Sequence, residues 1–325
     1  MADTSSDGSL PEPLQRPAFL VGAERSGTTL LRLMLDHHPK VSWLSEFGFA
    51  VDPIGLGIRD REAYVEDVRN SALFICAELE LREFLEPDAC VIDFLRQFWE
   101  QERSPVVGAT CHRHFDELLR LWPDARFVHI VRDPRDVARS RMKLGWSGHI
   151  WQAADPWLDA ELLWEQFAPK LADDRKHELI FERLVSEPEA ELTRLAAFLG
   201  VDYDPAMLSY PDDTTYEAVN AKLAGQWKGK MSDRDLQLID QKLGSWLDRY
   251  GYERHEPGRD ASTGPSKLKL FQFRVKDKVG VVGNEIKKYG WRPMLAKGVG
   301  RRLRIAPLHR WAHEQINARH RELIQ

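Results

Sequence analysis

The feature that most constrains the fold is an apolar run that ends in a glycine-rich turn. Residues 19–29 read FLVGAERSGTT, and a helical pattern begins at Leu30. A buried strand that turns sharply and opens a helix directs several backbone N–H groups, and the positive end of the helix, at one point in space. The segment therefore predicts a strand, a loop and a helix that bind a phosphate or a sulfate group.

The loop has the glycine spacing of a nucleotide-binding loop but lacks its lysine. Gly22 and Gly27 match the pattern G-x-x-x-x-G-K-[ST], in which the lysine reaches the terminal phosphates of a nucleoside triphosphate. Thr28 stands in place of that lysine, and a cation lies inside the loop instead, at Arg25. A loop without the lysine is poorly equipped for phosphoryl transfer. An internal arginine and two hydroxyls suit a phosphosulfate, which needs no magnesium bridge.

A second motif, RFVHIVRDPRDVARSRM, lies at residues 126–142. Its first residues are typical of a buried parallel strand, and Asp133-Pro134 is typical of a helix start. Arg132 therefore stands at the carboxyl end of the strand, with Ser140 further along in the helix. A planar guanidinium and a hydroxyl can bind the oxygens of one phosphate together. An ordinary solvated helix rich in arginine is the alternative interpretation.

The two motifs together resemble the sulfotransferases that use 3′-phosphoadenosine 5′-phosphosulfate (PAPS). GAERSGTTLLRLMLDHHPKV is similar to the loop that binds the 5′-phosphosulfate, in the R-S-G-T-T-L form of bacterial members and of tyrosylprotein sulfotransferases. The resemblance implies that PAPS is the co-substrate, that no metal is required, and that Arg132 and Ser140 bind the 3′-phosphate. It implies that the 5′ side is bound by Arg25, Ser26, Gly27, Thr28 and Thr29.

The catalytic base must accept the proton of the acceptor hydroxyl as its oxygen attacks sulfur. Glu46 is the first candidate, because it follows Arg25 by 21 residues, a spacing similar to that in tyrosylprotein sulfotransferases. A carboxylate that caps the next helix is the alternative.

His112 is the second candidate. Cytosolic sulfotransferases carry Lys-Thr-His here, whereas this chain has Ala109 in place of the lysine and His112 one residue late, where it could simply start a helix. Arg25 is the third predicted catalytic residue, and we expect it to stabilise charge on the sulfonate.

A third segment, GQWKGKMSDRDL at residues 225–236, is similar to the late loop that closes over the nucleotide in this family. The resemblance implies that Lys228 lies near the 3′-phosphate or the sulfonate and that Trp227 packs the loop or the adenine. A surface turn before a helix capped by Ser232 or Asp233 is the alternative.

Strands that alternate with helical patterns predict an α/β fold. We expect a P-loop-containing, doubly wound parallel sheet flanked by helices, with the ligand at the carboxyl ends of the strands. The predicted organisation is a disordered lead at 1–16, a catalytic domain at 17–254 with a helical insertion at about 62–102, a linker at 255–266, and a basic, mostly helical extension at 267–325.

Charge is unevenly distributed along the chain. From Arg259 to Gln325 there are 16 Lys and Arg against 5 Asp and Glu, a net charge of +11, whereas the whole chain carries −5. The extension either folds back on the acidic remainder and buries aromatic side chains such as Trp291 and Trp311, or lies on an anionic membrane, which would suit a lipid-linked acceptor. We expect the first, because opposite charges within one chain meet at high effective concentration.

Composition is that of a globular enzyme, with 43% hydrophobic and 30% charged residues. Three scattered cysteines without a C-x-x-C motif predict reduced thiols in a cytoplasmic protein, with peripheral membrane contact through 267–325 as the further option. His309 and His313 have a spacing that can bind zinc, but no third ligand accompanies them and we expect no metal site. We expect no nucleic-acid partner, and the sequence leaves a homodimer open.

Three functions are compatible with these observations, and a PAPS-dependent sulfotransferase is favoured. A P-loop kinase or ATPase would need a lysine at position 28 and an acid that binds magnesium, for which only Asp133 offers an imitation. A binding module with a degenerate site and a membrane-binding or polyanion-binding tail is opposed by the intact candidate residues. The acceptor hydroxyl could belong to a glycan, a lipid, a secondary metabolite or a protein tyrosine.

Overall fold

The computed structural model describes residues 10–255 and 264–302, with a few single positions beyond 302. Contacts divide the chain into two compact units. The first contains the described residues up to 137 together with 156–228, and the second contains 138–155 together with the described residues from 229 onward.

The first unit is built on a parallel sheet of five strands. The strands are β1 (Ala18–Val21), β2 (Val41–Leu44), β3 (Val106–Thr110), β4 (Arg126–Val131) and β5 (Lys176–Ile180). Their order is β2-β3-β1-β4-β5, and all four pairings are parallel. In the centre, Leu20 of β1 is in register with Thr110 of β3 and with Val128 of β4. The α/β prediction with a doubly wound parallel sheet is confirmed.

Helices cover both faces of this sheet because its strands are apolar on both sides. Phe19 and Val21 of β1 face one hydrophobic core, and Ala18 and Leu20 face the other. This is the pattern of a parallel sheet buried between two helical layers.

The described helices follow in chain order. They are α1 (Glu12–Gln15), α2 (Thr28–Asp36), α3 (Gly48–Gly55), α4 (Arg61–Arg69), α5 (Ala72–Ile75), α6 (Pro87–Glu102), α7 (Phe115–Leu121), α8 (Pro134–Lys143), α9 (Ile150–Ala153), α10 (Asp155–Phe167), α11 (Phe181–Ser186), α12 (Pro188–Leu199), α13 (Asp233–Arg249), α14 (Lys267–Tyr289) and α15 (Trp291–Arg302). None of these described helices is both long and apolar enough to span a membrane.

The predicted disordered lead is wrong for its last residues. Residues 12–15 form α1, and Leu14 is 1% exposed within the core that contains Phe19. The apolar side chain of Leu14 orders this stretch, because burying a leucine stabilises the fold by about 1.5–3 kcal/mol. Residues 1–9 lie outside the described part of the chain.

The second unit also departs from the predicted domain boundary. The boundary was expected at 255–266, yet residues 229–255 group with the C-terminal helices. The reason is that α13 packs against α9, and α14 packs against both α9 and α15. The two tryptophans that were expected to be buried are exposed, since Trp291 is 60% exposed and Trp311 is 42% exposed, whereas Phe273 of the same extension is buried. Residues 256–263, and His309 and His313, lie outside the described residues.

Candidate active site

The main predicted site residues follow the carboxyl ends of four neighbouring strands. The loop that contains Arg25 follows β1, Glu46 follows β2, His112 follows β3 and Arg132 follows β4. Because the strands are parallel, their carboxyl ends lie at one edge of the sheet, where ligands bind in folds of this kind. The sheet therefore brings together residues that are widely separated in the sequence.

The loop between β1 and α2 has a backbone path that needs glycine at two positions. Gly22 has φ +147°, and a Cβ added to it would lie 2.4 Å from the carbonyl oxygen of Ile130. Gly27 has φ +98°, and its Cβ would lie 2.3 Å from the ring of Phe181. Arg25, with φ +73°, is an exposed non-glycine residue in the left-handed region. Contacts from β4 and α11 therefore hold the loop in one shape.

The first turn of α2 presents polar groups suited to an anion. Gly27 is the N-cap residue and provides no side chain to accept from the first N–H groups of the helix. The hydroxyl of Ser26 is buried and has no hydrogen-bond partner, although a buried hydroxyl is normally paired. Uncapped N–H groups and the helix dipole favour negative charge at this position. These features fit a phosphate or sulfonate oxygen.

Glu46 and His112 lie side by side at the neighbouring strand ends. The carboxylate Oε2 of Glu46 is 3.5 Å from Nε2 of His112. The other ring nitrogen of His112, Nδ1, is 2.8 Å from the carbonyl oxygen of Gly22 in the loop. A backbone hydrogen bond of 2.9 Å from Phe47 N–H to the oxygen of Thr110 joins the segment after β2 to the end of β3. The structure thus brings the two candidate bases next to the loop that follows β1.

The groups around His112 favour the protonated form of its ring. Burial acts to lower the pKa of His112, but the hydrogen bond that the ring donates to Glu46, the charge of Glu46, the hydrogen bond to the carbonyl of Gly22 and the charge of Glu24 raise it by more. The pKa of His112 is therefore raised above its ordinary value. Glu46 does not cap a helix, because α3 begins at Gly48 with Phe47 as N-cap.

His112 reaches the loop although it stands one residue later than expected from the family pattern. Cys111, which takes the expected position of the histidine, is buried in the core, and burial raises the pKa of its thiol well above the ordinary value. The N–H of Cys111 donates to the oxygen of Leu20, which continues the pairing of β3 with β1. The side chain of the next residue is then directed to Gly22.

Arg132 connects three segments at the end of β4. Its guanidinium donates to the carbonyl oxygens of Arg25, at 3.3 Å, and of Leu223, at 2.8 Å. It also lies 4.2 Å from the centre of the Phe181 ring and 3.4 Å from a carboxylate oxygen of Asp136. Only 14% of its side chain is exposed. Arg132 therefore lies beside the loop, as predicted, and also holds the loop backbone.

Trp227 packs the late loop onto the start of α8. Its backbone N–H donates to Asp136 at 2.7 Å, and its indole N–H donates to Asp133 at 2.9 Å. The guanidinium of Arg135 lies 4.0 Å from the ring. Of the two roles predicted for Trp227, packing of the loop is the one its contacts support. Lys228 is exposed, with its ammonium 5.8 Å from the same ring, and its contact with a nucleotide stays a prediction.

Ser140 lies in the part of α8 that belongs to the second unit, whereas Arg132 belongs to the first. Their joint binding of a 3′-phosphate stays a prediction.

Asp136 is a further residue of this region, and no sequence pattern indicated its role. It accepts hydrogen bonds from the backbone of Gln226 and Trp227, and burial raises its pKa more than Arg132 lowers it. Its position in the first turn of the helix after β4 was visible, but its partners Gln226 and Trp227 lie 90 and 91 residues away in the sequence.

Among the described residues, no group of three or more His, Cys, Asp or Glu side chains is arranged to hold a metal ion. The three cysteines, all within the described ranges, form no disulfide.

A model of the sulfotransferase family matches residues 17–205. The chain belongs to the sulfotransferase family. Its fold is similar to the sulfotransferase domain of the Synechococcus PCC 7002 olefin synthase, with a TM-score of 0.55, 21% identity, and coverage of 77% of this chain and 98% of that domain. It is also similar to the sulfotransferase domain from the curacin biosynthetic pathway, with a TM-score of 0.50, 17% identity, and coverage of 73% and 98%. These structures show the shared fold.

The relatives found by sequence similarity match this chain over only part of their own length. The omega-hydroxy-beta-dihydromenaquinone-9 sulfotransferase Stf3 of Mycobacterium bovis is 28% identical over 184 residues, which are 50% of this chain and 45% of that protein. Protein-tyrosine sulfotransferase 1 of Danio rerio is 23% identical over 268 residues, which are 73% of this chain and 72% of that protein. The chain therefore spans less than half the length of the mycobacterial relative.

Proposed function

We propose that this sulfotransferase-family protein transfers the sulfuryl group of PAPS to a hydroxyl group of an acceptor. The observation that carries the proposal is the double contact of His112, with Gly22 of the loop and with Glu46. Through these two contacts, a pair of groups that can accept a proton lies beside a loop that is suited to bind an anion.

The residues present fit the co-substrate. Ser26, Thr28 and Thr29, with the N–H groups at the start of α2, would bind the 5′-phosphosulfate, and the buried, unpaired hydroxyl of Ser26 supports this assignment. Arg132 would bind the 3′-phosphate together with Ser140. When bound, PAPS supplies the sulfuryl group and leaves as 3′,5′-ADP.

The proton of the acceptor passes to the pair formed by Glu46 and His112. A carbonyl oxygen only accepts hydrogen bonds, so the contact with Gly22 requires the proton of neutral His112 to be on Nδ1. Nε2 then carries the lone pair and faces the carboxylate of Glu46. The two groups are therefore placed to share the one incoming proton.

Arg25 supplies positive charge from within the loop. Its guanidinium would stabilise the charge that develops on the sulfonate and on the bridging oxygen, since a fixed cation needs no reorganisation during the reaction. A non-glycine residue with a left-handed φ angle has a higher conformational free energy than one in an ordinary region. Such strain is typical of functional sites, which supports a functional role for Arg25.

A kinase or ATPase is less well supported. Thr28 occupies the position of the required lysine. Asp133 is the only magnesium-binding candidate that the sequence offers. Both of its carboxylate oxygens accept hydrogen bonds from Arg135, and one also accepts a hydrogen bond from the indole of Trp227. A carboxylate with these partners has a structural role at the start of α8.

The proposed acceptor carries a hydroxyl group, and four classes of acceptor are compatible with the proposal: glycans, lipids, secondary metabolites and protein tyrosines. The named relatives act, by their names, on a menaquinone and on protein tyrosine. An omega-hydroxy-menaquinone and tyrosine both contain a hydroxyl group.

A transfer assay tests the proposal. The full chain is incubated with sulfur-radiolabelled PAPS and an extract of the source cells, and the labelled product is identified. We expect label transfer that Glu46→Gln nearly abolishes and that Glu66→Gln, the same change at an exposed position of α4, leaves unchanged. Absence of transfer together with magnesium-dependent hydrolysis of ATP would contradict the proposal.

A further inference from the structure

Helix α14 packs against its own unit through a single face. Phe273 is 4% exposed, and its ring stacks on that of His149 at 4.3 Å between centroids. One carboxylate oxygen of Asp277 accepts from the backbone N–H groups of Gly148, at 2.8 Å, and of His149, at 3.2 Å. A Cβ on Gly280 would lie 2.5 Å from the Cα of Gly148, so the two backbones are in close contact. These positions are three or four residues apart and fix one side of the helix.

The opposite side of α14 is apolar and exposed. With about 100° per residue, the exposed apolar positions lie about half a turn from the packed face. Leu268 is 68% exposed, Phe271 63% and Val279 67%. The exposed apolar stripe consists of Leu268, Phe271, Val275, Val279, Val282 and Ile286.

Cations border this stripe along both edges. Helix α14 contains seven Lys and Arg against two acidic residues, and the basic side chains are exposed. By the same helical geometry, one edge carries Lys267, Arg274 and Lys278, and the other carries Lys269, Lys276 and Lys287. The helix thus presents an apolar centre between two edges that carry three cations each, with Glu285 on the same edge as Lys267.

We propose that the exposed apolar stripe of α14 binds an anionic lipid surface. A helix with an apolar face and lysines at its edges lies in the plane of a membrane interface, with the apolar side chains among the acyl chains and the ammonium groups at the lipid headgroups. A second copy of the helix is a poorer partner, because pairing two such faces would align the cations of both copies along one seam. The inference is independent of the proposed chemistry.

The continuation of the chain carries the same character. In α15, Trp291 is 60% exposed and Leu295 is 59% exposed, with Arg292 between them also exposed. Tryptophan and arginine are residues that favour the boundary between water and lipid. A protein on such a surface would reach amphiphilic acceptors without extracting them into water.

Vesicle sedimentation with the full chain tests the proposal. The vesicles contain phosphatidylcholine alone or phosphatidylcholine mixed with phosphatidylglycerol. The apolar variant carries Phe271→Gln and Val279→Gln, and the charge variant carries Lys267→Gln and Lys278→Gln. The control variant carries Leu56→Gln and Phe84→Gln, which remove apolar side chains of 75% and 73% exposure from the first unit.

We expect the wild-type and control proteins to sediment with the anionic vesicles only, and less so as salt is added. The charge variant should partition about fivefold more weakly for each lysine removed. The apolar variant should bind the vesicles at least about tenfold more weakly than the wild type, because two apolar side chains no longer enter the lipid. All variants change exposed positions, so their melting temperatures should match that of the wild type.

Three results would overturn the proposal. The first is equal sedimentation with neutral and anionic vesicles. The second is an apolar variant that sediments like the wild type, which would indicate general polyanion binding. The third is a wild-type protein that stays in solution as a dimer and becomes a monomer in the apolar variant, which would make the stripe a contact between copies.

Discussion

The strand-end site and helix α14 differ in how their important residues come together. At the strand ends, Glu46, His112 and the loop at Gly22 meet through the sheet, although the sequence separates them widely. In α14, the packed side and the exposed stripe both follow from one helical period within 23 residues. The first region depends on long-range packing, whereas the second depends on local geometry plus one docking contact.

This difference predicts which pairs of substitutions should have non-additive effects. Residues joined by the sheet share partners, so a change in one alters the environment of the others. Residues on opposite sides of α14 share no partner, so their substitutions should act separately. The following predictions test that contrast.

The largest effect is expected at the catalytic pair. Glu46→Gln should lower kcat by about 10²–10⁴, because it removes the carboxylate that receives the proton while keeping the shape of the side chain. His112→Gln should have an effect of similar size, and the double variant should be little worse than either single one, since residues that act as a unit are not additive. Steady-state and single-turnover kinetics measure this. Multiplicative losses would mean that the residues act separately, and a fully active Glu46→Gln enzyme would leave His112 as the base.

The pH profile sharpens the same assignment. The pKa of His112 is raised above its ordinary value, chiefly by Glu46 acting against burial. The transfer rate should therefore increase as pH rises through this raised pKa, and in Glu46→Gln the residual rate should increase at lower pH. For stability the sign is opposite. The contribution of protonated His112 is fully present below its ordinary pKa of 6.5 and is lost as pH rises through the raised value. A rate profile unchanged by Glu46→Gln would contradict the pairing.

Nucleotide binding should require both ends of the predicted site. At a hundredfold excess over its Kd, 3′,5′-ADP should stabilise the protein by about 2.7 kcal/mol, and AMP at the same concentration should stabilise it much less. Arg132→Lys and Ser140→Ala should each reduce the difference between the two nucleotides, measured by thermal unfolding. Equal shifts from AMP and 3′,5′-ADP in the wild type would remove the 3′-phosphate assignment.

The loop glycine should matter through its tertiary contact. Gly27 and Gly57 both have left-handed φ angles, +98° and +89°, but a Cβ at Gly57 meets nothing within 4 Å. Gly57→Ala should destabilise the fold by about 1–2 kcal/mol through backbone strain alone. Gly27→Ala should cost roughly 1–3 kcal/mol more, because the Cβ meets the buried ring of Phe181. Urea unfolding measures both, and equal losses would show that the ring moves aside freely.

The smallest effects compare a packed position of α14 with an open position three residues later. Gly280→Ala should destabilise by about 1–3 kcal/mol, because its Cβ would lie against the backbone of Gly148. Gly283→Ala meets no atom within 4 Å and should stabilise the helix by about 0.5–1 kcal/mol. The two changes should add in the double variant. Destabilisation by Gly283→Ala would mean that this position, too, is packed in solution.

The local patterns predicted much of the fold. The strand, loop and helix at β1 and α2, and the strand and helix at β4 and α8, lie close to their predicted positions, because glycine and proline mark their boundaries directly. β2 was not predicted as a strand, since four apolar or small residues after a proline carry no clear period. The buried Leu14 was missed for a similar reason, because one leucine between prolines and polar residues gives no local signal.

The sequence alone is sufficient to predict that a glycine-rich loop opens α2, that an arginine follows β4, and that the C-terminal region is basic. These are consequences of residue type and of spacing within one element. Tertiary packing brings His112 into contact with both Glu46 and Gly22, because that contact requires the order β2-β3-β1 in the sheet. It also decided which side of α14 is packed, because the helical period defines two faces and only the contacts of Phe273 and Gly280 with residues 148–149 choose between them.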